Sequence, residues 1–208
     1  MFEYDTVGLR ALEARVEGIR AMLPGVELYL AGGAVRDLFV RAKSGRFVAQ
    51  AIGSRDHDIW TNSNLEFIRR RLDKNVTKEK AITLGLYGSH SRAIGGVIKY
   101  NGCDFIHVQT DSKPLNLHVL LDDFDIGMCQ MGLKLDGTPY MTAKACRDLM
   151  MGQFTLYCEN YDAVNTSRSF RRMHKFFMRH GDRYNYVVVS GKRKLDYVPS
   201  FCRNVEAL

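Results

Sequence analysis

The sequence predicts an α/β (α+β) domain, a mixed sheet flanked by helices, with a short helical C-terminal part. Three observations point there. Some stretches repeat apolar residues at helical spacing, whereas others run as short apolar or alternating segments. The two kinds follow one another along the chain instead of forming separate blocks. Finally, 208 residues at 46% hydrophobic and 25% charged can bury a core for about one domain.

Val7, Leu9, Leu12, Val16, Ile19 and Leu23 predict an amphipathic helix over 6–22, ended by Pro24-Gly25. Residues 26–31 form a short apolar strand. After Gly32-Gly33, the spacing of Val35, Leu38 and Phe39 starts another helix. The small, polar stretch 42–54 predicts a loop or short strand, and 57–60 a strand. Asn62-Ser63-Asn64 can cap a helix bearing Leu65, Phe67, Ile68 and Leu72. Strand-like stretches 93–100 and 103–109 flank Asn101-Gly102, a strong hairpin signal. An apolar helix or strand lies within 119–135 before the Asp136-Gly137 turn. Helices are expected at 142–151 and at 165–180, the latter stopped by Gly181, with a last strand over 186–190. The division expected is a main domain over 1–160, with a basic helix and extension over 161–208 packed on it.

No apolar run nears the roughly 18–20 residues of a membrane span. The N-terminus shows no basic-then-apolar signal, and five cysteines form no CxxC pair. These features predict free thiols in a cytoplasmic setting and no membrane partner. The formal net charge is +7, and its excess is local: from Arg168 to Lys194 there are nine Lys/Arg and one acid, Asp182. Such a concentration suggests a polyanionic partner; a solvated basic surface is the plainer reading.

Three features carry chemistry in combination. In Ala31-Gly32-Gly33-Ala34-Val35-Arg36-Asp37 a strand meets two glycines and a helix start, where backbone N–H groups can approach an anion and Arg36 can reach a phosphate. Alone, such a segment is most often only a turn. In Ser54-Arg55-Asp56-His57-Asp58-Ile59-Trp60, strand alternation turns Asp56 and Asp58 to one face and His57 and Ile59 to the other. Two carboxylates so placed can share Mg²⁺ with substrate phosphates. A lone Asp-x-Asp is common by chance, and His57 reads as structural. Third, Arg168, Arg171, Arg172, Lys175 and Arg179 fall within about 60° of one helix direction, with Phe170, Met173 and Phe177 opposite. A solvated amphipathic helix is the plain alternative. Solvated faces usually mix signs, however, and this stripe has no acid, which favours phosphate or nucleic-acid contact.

Leu30–Asp37 followed by Arg55-Asp56-His57-Asp58-Ile59-Trp60-Thr61 resembles the head-domain signature of the class II CCA-adding enzymes and bacterial poly(A) polymerases, a branch of the DNA polymerase β-like nucleotidyltransferases. Phe124-Asp125-Ile126-Gly127-Met128-Cys129-Gln130 stands where that family has an arginine-arginine-aspartate motif. Asp148–Phe154 resembles its next step, and Arg168–Phe176 its arginine-rich helix. The likeness covers about residues 26–180. Phe124 replaces an arginine, and the family's helical neck, body and tail are not expected within these 208 residues. The pattern is therefore closer to a minimal stand-alone form.

The resemblance implies a polymerase β-like nucleotidyltransferase fold. It implies that Asp56 and Asp58 hold Mg²⁺ (or Mn²⁺) and are catalytic, with Asp104 as a candidate third carboxylate. Gly32, Gly33, Arg36, Asp125, Arg168 and Arg171 would bind the nucleoside triphosphate. The activity implied is transfer of a nucleoside monophosphate to an acceptor hydroxyl, foremost the 3′ end of an RNA such as tRNA, met by the stripe Arg168, Arg171, Arg172, Lys175 and Arg179. Two other readings stand beside it: a catalytically inactive nucleotide- or RNA-binding module of the same fold, and a nucleotidyltransferase toxin or effector with a non-RNA acceptor.

Overall fold

The computed structural model describes residues 2–49, 57–72, 94–109, 115–134, 136–158, 163–190 and 193–196. Helix α1 (Thr6–Met22) starts where Asp5 accepts from the amides of Val7 (3.1 Å) and Gly8 (3.0 Å), and it buries Leu9, Leu12, Val16 and Ile19. Strand β1 (Tyr29–Ala31) is shorter than the expected 26–31. Helix α2 (Gly33–Arg36) is a single turn, not a long helix, although Val35 and Leu38 are fully buried. β2 (His57–Thr61) leads to α3 (Leu65–Leu72), where Asn64 Oδ1 accepts from the Glu66 amide at 2.8 Å. β3 (Ile94–Tyr100) and β4 (Cys103–Val108) form the expected hairpin. Asn101 (φ 53°) and Gly102 (φ 73°) both take the left-handed conformation that its tight turn requires.

α4 (Leu117–Asp122) follows, then a 3₁₀ turn over Gly127–Cys129 and strands β5 (Met131–Leu133) and β6 (Pro139–Met141). The six strands lie in the order β3-β4-β2-β1-β5-β6, and β2–β4 is the parallel pair among antiparallel neighbours. One face of this sheet carries Ile59, Ile98 and Phe105 into the main core with α1 and α3. The other carries Ala31, Trp60, Val97, Ile106 and Val108 against Leu117, Leu120 and Leu121 of α4.

The C-terminal part is not only helical. α5 (Ala143–Met151), capped by Thr142 and ended by left-handed Gly152, leads to β7 (Gln153–Tyr157). α6 (Ala163–His180) crosses back to β8 (Asn185–Ser190), and β9 (Arg193–Asp196) completes a second, three-stranded sheet. In β7–β8 the pairing is parallel, which accounts for the long helical crossover. The two sheets meet where Ile126 bridges Leu156 and the Tyr157 amide donates to the Asp125 carbonyl at 2.8 Å. Phe154 and Phe176 therefore share one core cluster with Leu30 and Val35. Among the described residues, no helix is long and apolar enough to cross a membrane, and Cys103, Cys129, Cys146 and Cys158 are free thiols.

Candidate active site

A cavity of about 340 Å³ opens between the end of β1, the sheet face bearing Trp60, and helix α6. Its wall begins at Gly32, held at φ 96° and ψ −131°, a region that glycine alone enters without strain. The Gly32 amide donates to the Met131 carbonyl at 2.8 Å, so it continues the sheet and is not free for an anion. The Arg36 amide donates to the Gly32 carbonyl at 3.0 Å, and the amides of Gly33, Ala34 and Val35 have no acceptor within the helix. A Cβ on Gly32 would stand 3.4 Å from Phe124 Cε2 and 3.7 Å from Asp58 Oδ2. These are ordinary contacts, so glycine is needed here for its backbone conformation and not for space.

Asp58 reaches the cavity from β2, and alternation carries Trp60 to the same face and His57 to the other. His57 is buried, its Nδ1 3.3 Å from the Gly102 carbonyl, in keeping with a structural role. In the parallel β2–β4 ladder Asp58 is in register with Asp104. Side chains in register on neighbouring strands share a face, about 4.8 Å apart at the backbone. The structure thus brings together two carboxylates that are 46 positions apart in the sequence. Asp104 is outside the cavity lining, and its Oδ2 lies 3.4 Å from Lys99 Nζ. Asp56 lies outside the described residues.

Arg36 lines the cavity but is already engaged. Its Nε and Nη2 meet Asp37 Oδ1 at 2.8 and 2.5 Å, its Nη1 meets Cys129 Sγ at 3.2 Å, and its guanidinium lies 4.5 Å from the Phe176 ring centroid. Only 5% of the residue is exposed. Burial pushes the Cys129 thiol up in pKa, more strongly than Arg36 draws it down. Asp125 is buried too and accepts from Ser169 Oγ and Arg172 Nη2. It therefore ties α6 to the segment after α4. Gln130, wholly buried, donates from Nε2 to the Phe124 carbonyl at 2.7 Å and accepts from Thr142 Oγ1 at 2.6 Å, which holds the Phe124 turn in place.

From α6 the cavity receives Arg172, Lys175, Phe176 and Arg179. Met173 and Phe176 are buried, and they set the rotation of the helix. Arg171 is exposed and does not line the cavity, and the side chain of Arg168 lies outside the described set. The cationic wall is therefore Arg172-Lys175-Arg179, a subset of the predicted stripe. Arg179 Nη1 lies 3.8 Å from Asp37 Oδ2. The opposite wall, Ile94, Val108, Leu120, Trp60 and Phe124, was missed as a unit. Only the Trp60 position was legible, two residues beyond Asp58 on an alternating strand.

Asp58 and Asp104 offer hard oxygen donors suited in kind to a divalent cation. Among the described residues no group of three acidic, His or Cys side chains converges for a metal. Of the two, Asp58 faces the cavity, whereas Asp104 is held by Lys99.

No family model and no curated protein matches the sequence. Solved structures do. The chain is similar to a CCA-adding enzyme in complex with ATP, at 16% identity and a TM-score of 0.51, over 85% of this chain and 42% of that one. It is also similar to a CCA-adding enzyme with CTP, at 14% identity and a TM-score of 0.49, over 84% and 41%. A third is the Thermotoga maritima CCA-adding enzyme complexed with tRNA, at 14% identity and a TM-score of 0.47, over 78% and 37%. The chain spans about two fifths of the length of these structures. The first likeness establishes the architecture alone: the chain shares the fold of the matched part of that CCA-adding enzyme.

Proposed function

We propose that the protein is a metal-dependent nucleotidyltransferase. It would move a nucleoside monophosphate from a nucleoside triphosphate to an acceptor hydroxyl, foremost the 3′ end of an RNA such as tRNA. The observation that carries this reading is Asp58, which faces a cavity beside Gly32 and opposite the Arg172-Lys175-Arg179 wall, on a strand in register with Asp104. A triphosphate needs cations and closely approaching backbone on one side and a carboxylate pair at the reacting phosphorus on the other.

In this reading Arg172, Lys175 and Arg179 hold the triphosphate, and Arg36 supports them from behind by fixing Asp37 and Phe176. The acceptor oxygen bonds to the α-phosphorus while the bond from that phosphorus to the β-phosphate bridging oxygen breaks. Pyrophosphate leaves, and the hydroxyl proton passes to the Asp58–Asp104 pair. When bound, Mg²⁺ or Mn²⁺ supplies charge neutralisation for the phosphates, held by Asp58 with Asp56 as the resemblance implies. Orientation in the cavity and exclusion of water by Trp60 and Phe124 complete what the chain supplies.

The ion pair between Lys99 and Asp104 favours a second reading, a nucleotide- or RNA-binding module without turnover. Turnover decides between the two. The protein is incubated with labelled nucleoside triphosphates, Mg²⁺ and RNA acceptors including tRNA, beside Asp58→Asn. Transfer by the natural chain, reduced by about 100-fold or more in the variant, is the expected result. Equal labelling by both removes Asp58 from the reaction, and binding without transfer selects the second reading.

A further inference from the structure

Two chemically different groups of residues line the cavity. One is cationic: Arg172 and Arg179, each with an acidic partner, and Lys175, which forms no ion pair among the described residues. The other is apolar and aromatic. The Trp60 and Phe124 rings lie 5.3 Å apart at 43°, bordered by Ile94, Val108 and Leu120. Phe124 Cε2 and Asp58 Oδ2 both lie beside Gly32, so the aromatic pair and the carboxylate flank the same backbone. The cations of α6 draw phosphates to their side of the cavity.

We propose that Trp60 and Phe124 form the shelf on which the base of the incoming nucleotide stacks, making this a purine-preferring triphosphate site. The proposal rests on the nucleotidyltransferase reading above and specifies its substrate. A ligand that is a polyanion at one end and a flat apolar ring at the other, within about 340 Å³, matches both walls at once. The one polar side-chain atom of the shelf residues, the Trp60 indole nitrogen, is buried with no acceptor. Trp60 is 9% exposed and Phe124 half-buried, so the shelf offers the cavity-facing part of two rings and no accessible group to read a base edge. Stacking on aromatic side chains contributes about 1–3 kcal/mol per base and tolerates any base. Selectivity then follows area, and the two fused rings of a purine cover more of the shelf than the single ring of a pyrimidine.

Trp60 is the one tryptophan of the chain, so its emission reports on the shelf directly. The full chain is titrated with ATP, GTP, CTP, UTP and inorganic tripolyphosphate, with affinity read by calorimetry and Trp60 emission followed in parallel. The expected result is about 5–10-fold tighter binding of ATP and GTP than of CTP, UTP or tripolyphosphate. Trp60 emission should change with the nucleotides and stay unchanged with tripolyphosphate. Phe124→Leu should abolish the purine advantage while tripolyphosphate affinity is retained, and Phe124→Tyr should preserve it. Equal affinity for ATP and tripolyphosphate overturns the shelf while leaving a triphosphate site intact. A Trp60 response to a short RNA but to no free nucleotide assigns the shelf to the acceptor and likewise overturns it. Binding of neither nucleotide nor tripolyphosphate removes the nucleotidyltransferase reading itself.

Discussion

Replacing Gly32 by alanine tests the geometry on which the site is built. At φ 96° and ψ −131° an L-residue is strained, at a cost of about 1–3 kcal/mol. The added methyl itself meets little resistance, since its nearest neighbours, Phe124 Cε2 and Asp58 Oδ2, stand 3.4 and 3.7 Å away. The cost is therefore mostly conformational. For a chain of 208 residues each kcal/mol moves the melting temperature by about 2–4 °C, so Gly32→Ala should melt roughly 2–12 °C lower. Gly33→Ala is the internal comparison. Gly33 is not among the positive-φ glycines, and a Cβ there lies 3.6 Å from Arg36 Nη2, an ordinary contact. It opens α2, where alanine is accepted, so its melt should stay near that of the natural chain. Far-UV circular dichroism melts of the three proteins read the difference. The nucleotide titration should also weaken in Gly32→Ala, because the methyl fills space between Phe124 and Asp58. A Gly33→Ala melt as low as that of Gly32→Ala, or a Gly32→Ala melt unchanged, would refute the reasoning.

Two further outcomes concern stability. His180 is buried, stacked on Phe154 at 5.2 Å, and donates from Nδ1–H to the Arg41 carbonyl at 2.9 Å, while its Nε2 is buried without a partner. Burial holds its pKa down to about 4, so the unfolded chain takes up a proton near pH 6.5 that the folded one refuses. Stability should be level above pH 7 and fall as the pH drops from 6.5 towards 4, by about 2 kcal/mol at pH 5. Urea midpoints at pH 7 and pH 5 check this, and His180→Gln should flatten the difference. Asp125→Ala removes the carboxylate that accepts from the Ser169 hydroxyl and the half-exposed Arg172 guanidinium, and should cost about 1–3 kcal/mol in urea unfolding. Asp125→Asn, which keeps an acceptor oxygen, should recover part of that loss, whereas recovery no better than alanine would deny Asp125 its tethering role.

Local chemistry determined much of this protein. Asn101-Gly102 imposes the β3–β4 hairpin because both positions take positive φ, and Asn64 and Thr142 start their helices with side-chain oxygens. Strand alternation alone puts Asp58 and Trp60 on one face. The second sheet was legible only at β8, expected over 186–190: Gln153–Tyr157 is too short to show a period, and its pairing with β8 spans an 18-residue helix. Tertiary structure also decided the content of the site. The β2–β4 pairing, which passes over β3, sets Asp104 beside Asp58, and no local signal encodes that register. Helical spacing grouped five cations within a broad arc. Burial of Met173 and Phe176 and the hold of Asp125 on Arg172 select Arg172, Lys175 and Arg179 for the cavity and leave Arg171 in solvent. Arg36 was legible as a cation near a glycine turn, but its capture by Asp37, Cys129 and Phe176 depends on groups that meet only when the chain closes. Periodicity and capping act within a few residues, whereas register, helix rotation and ion-pair choice depend on packing between distant segments. The sequence therefore names the candidates, and only the assembled core chooses among them.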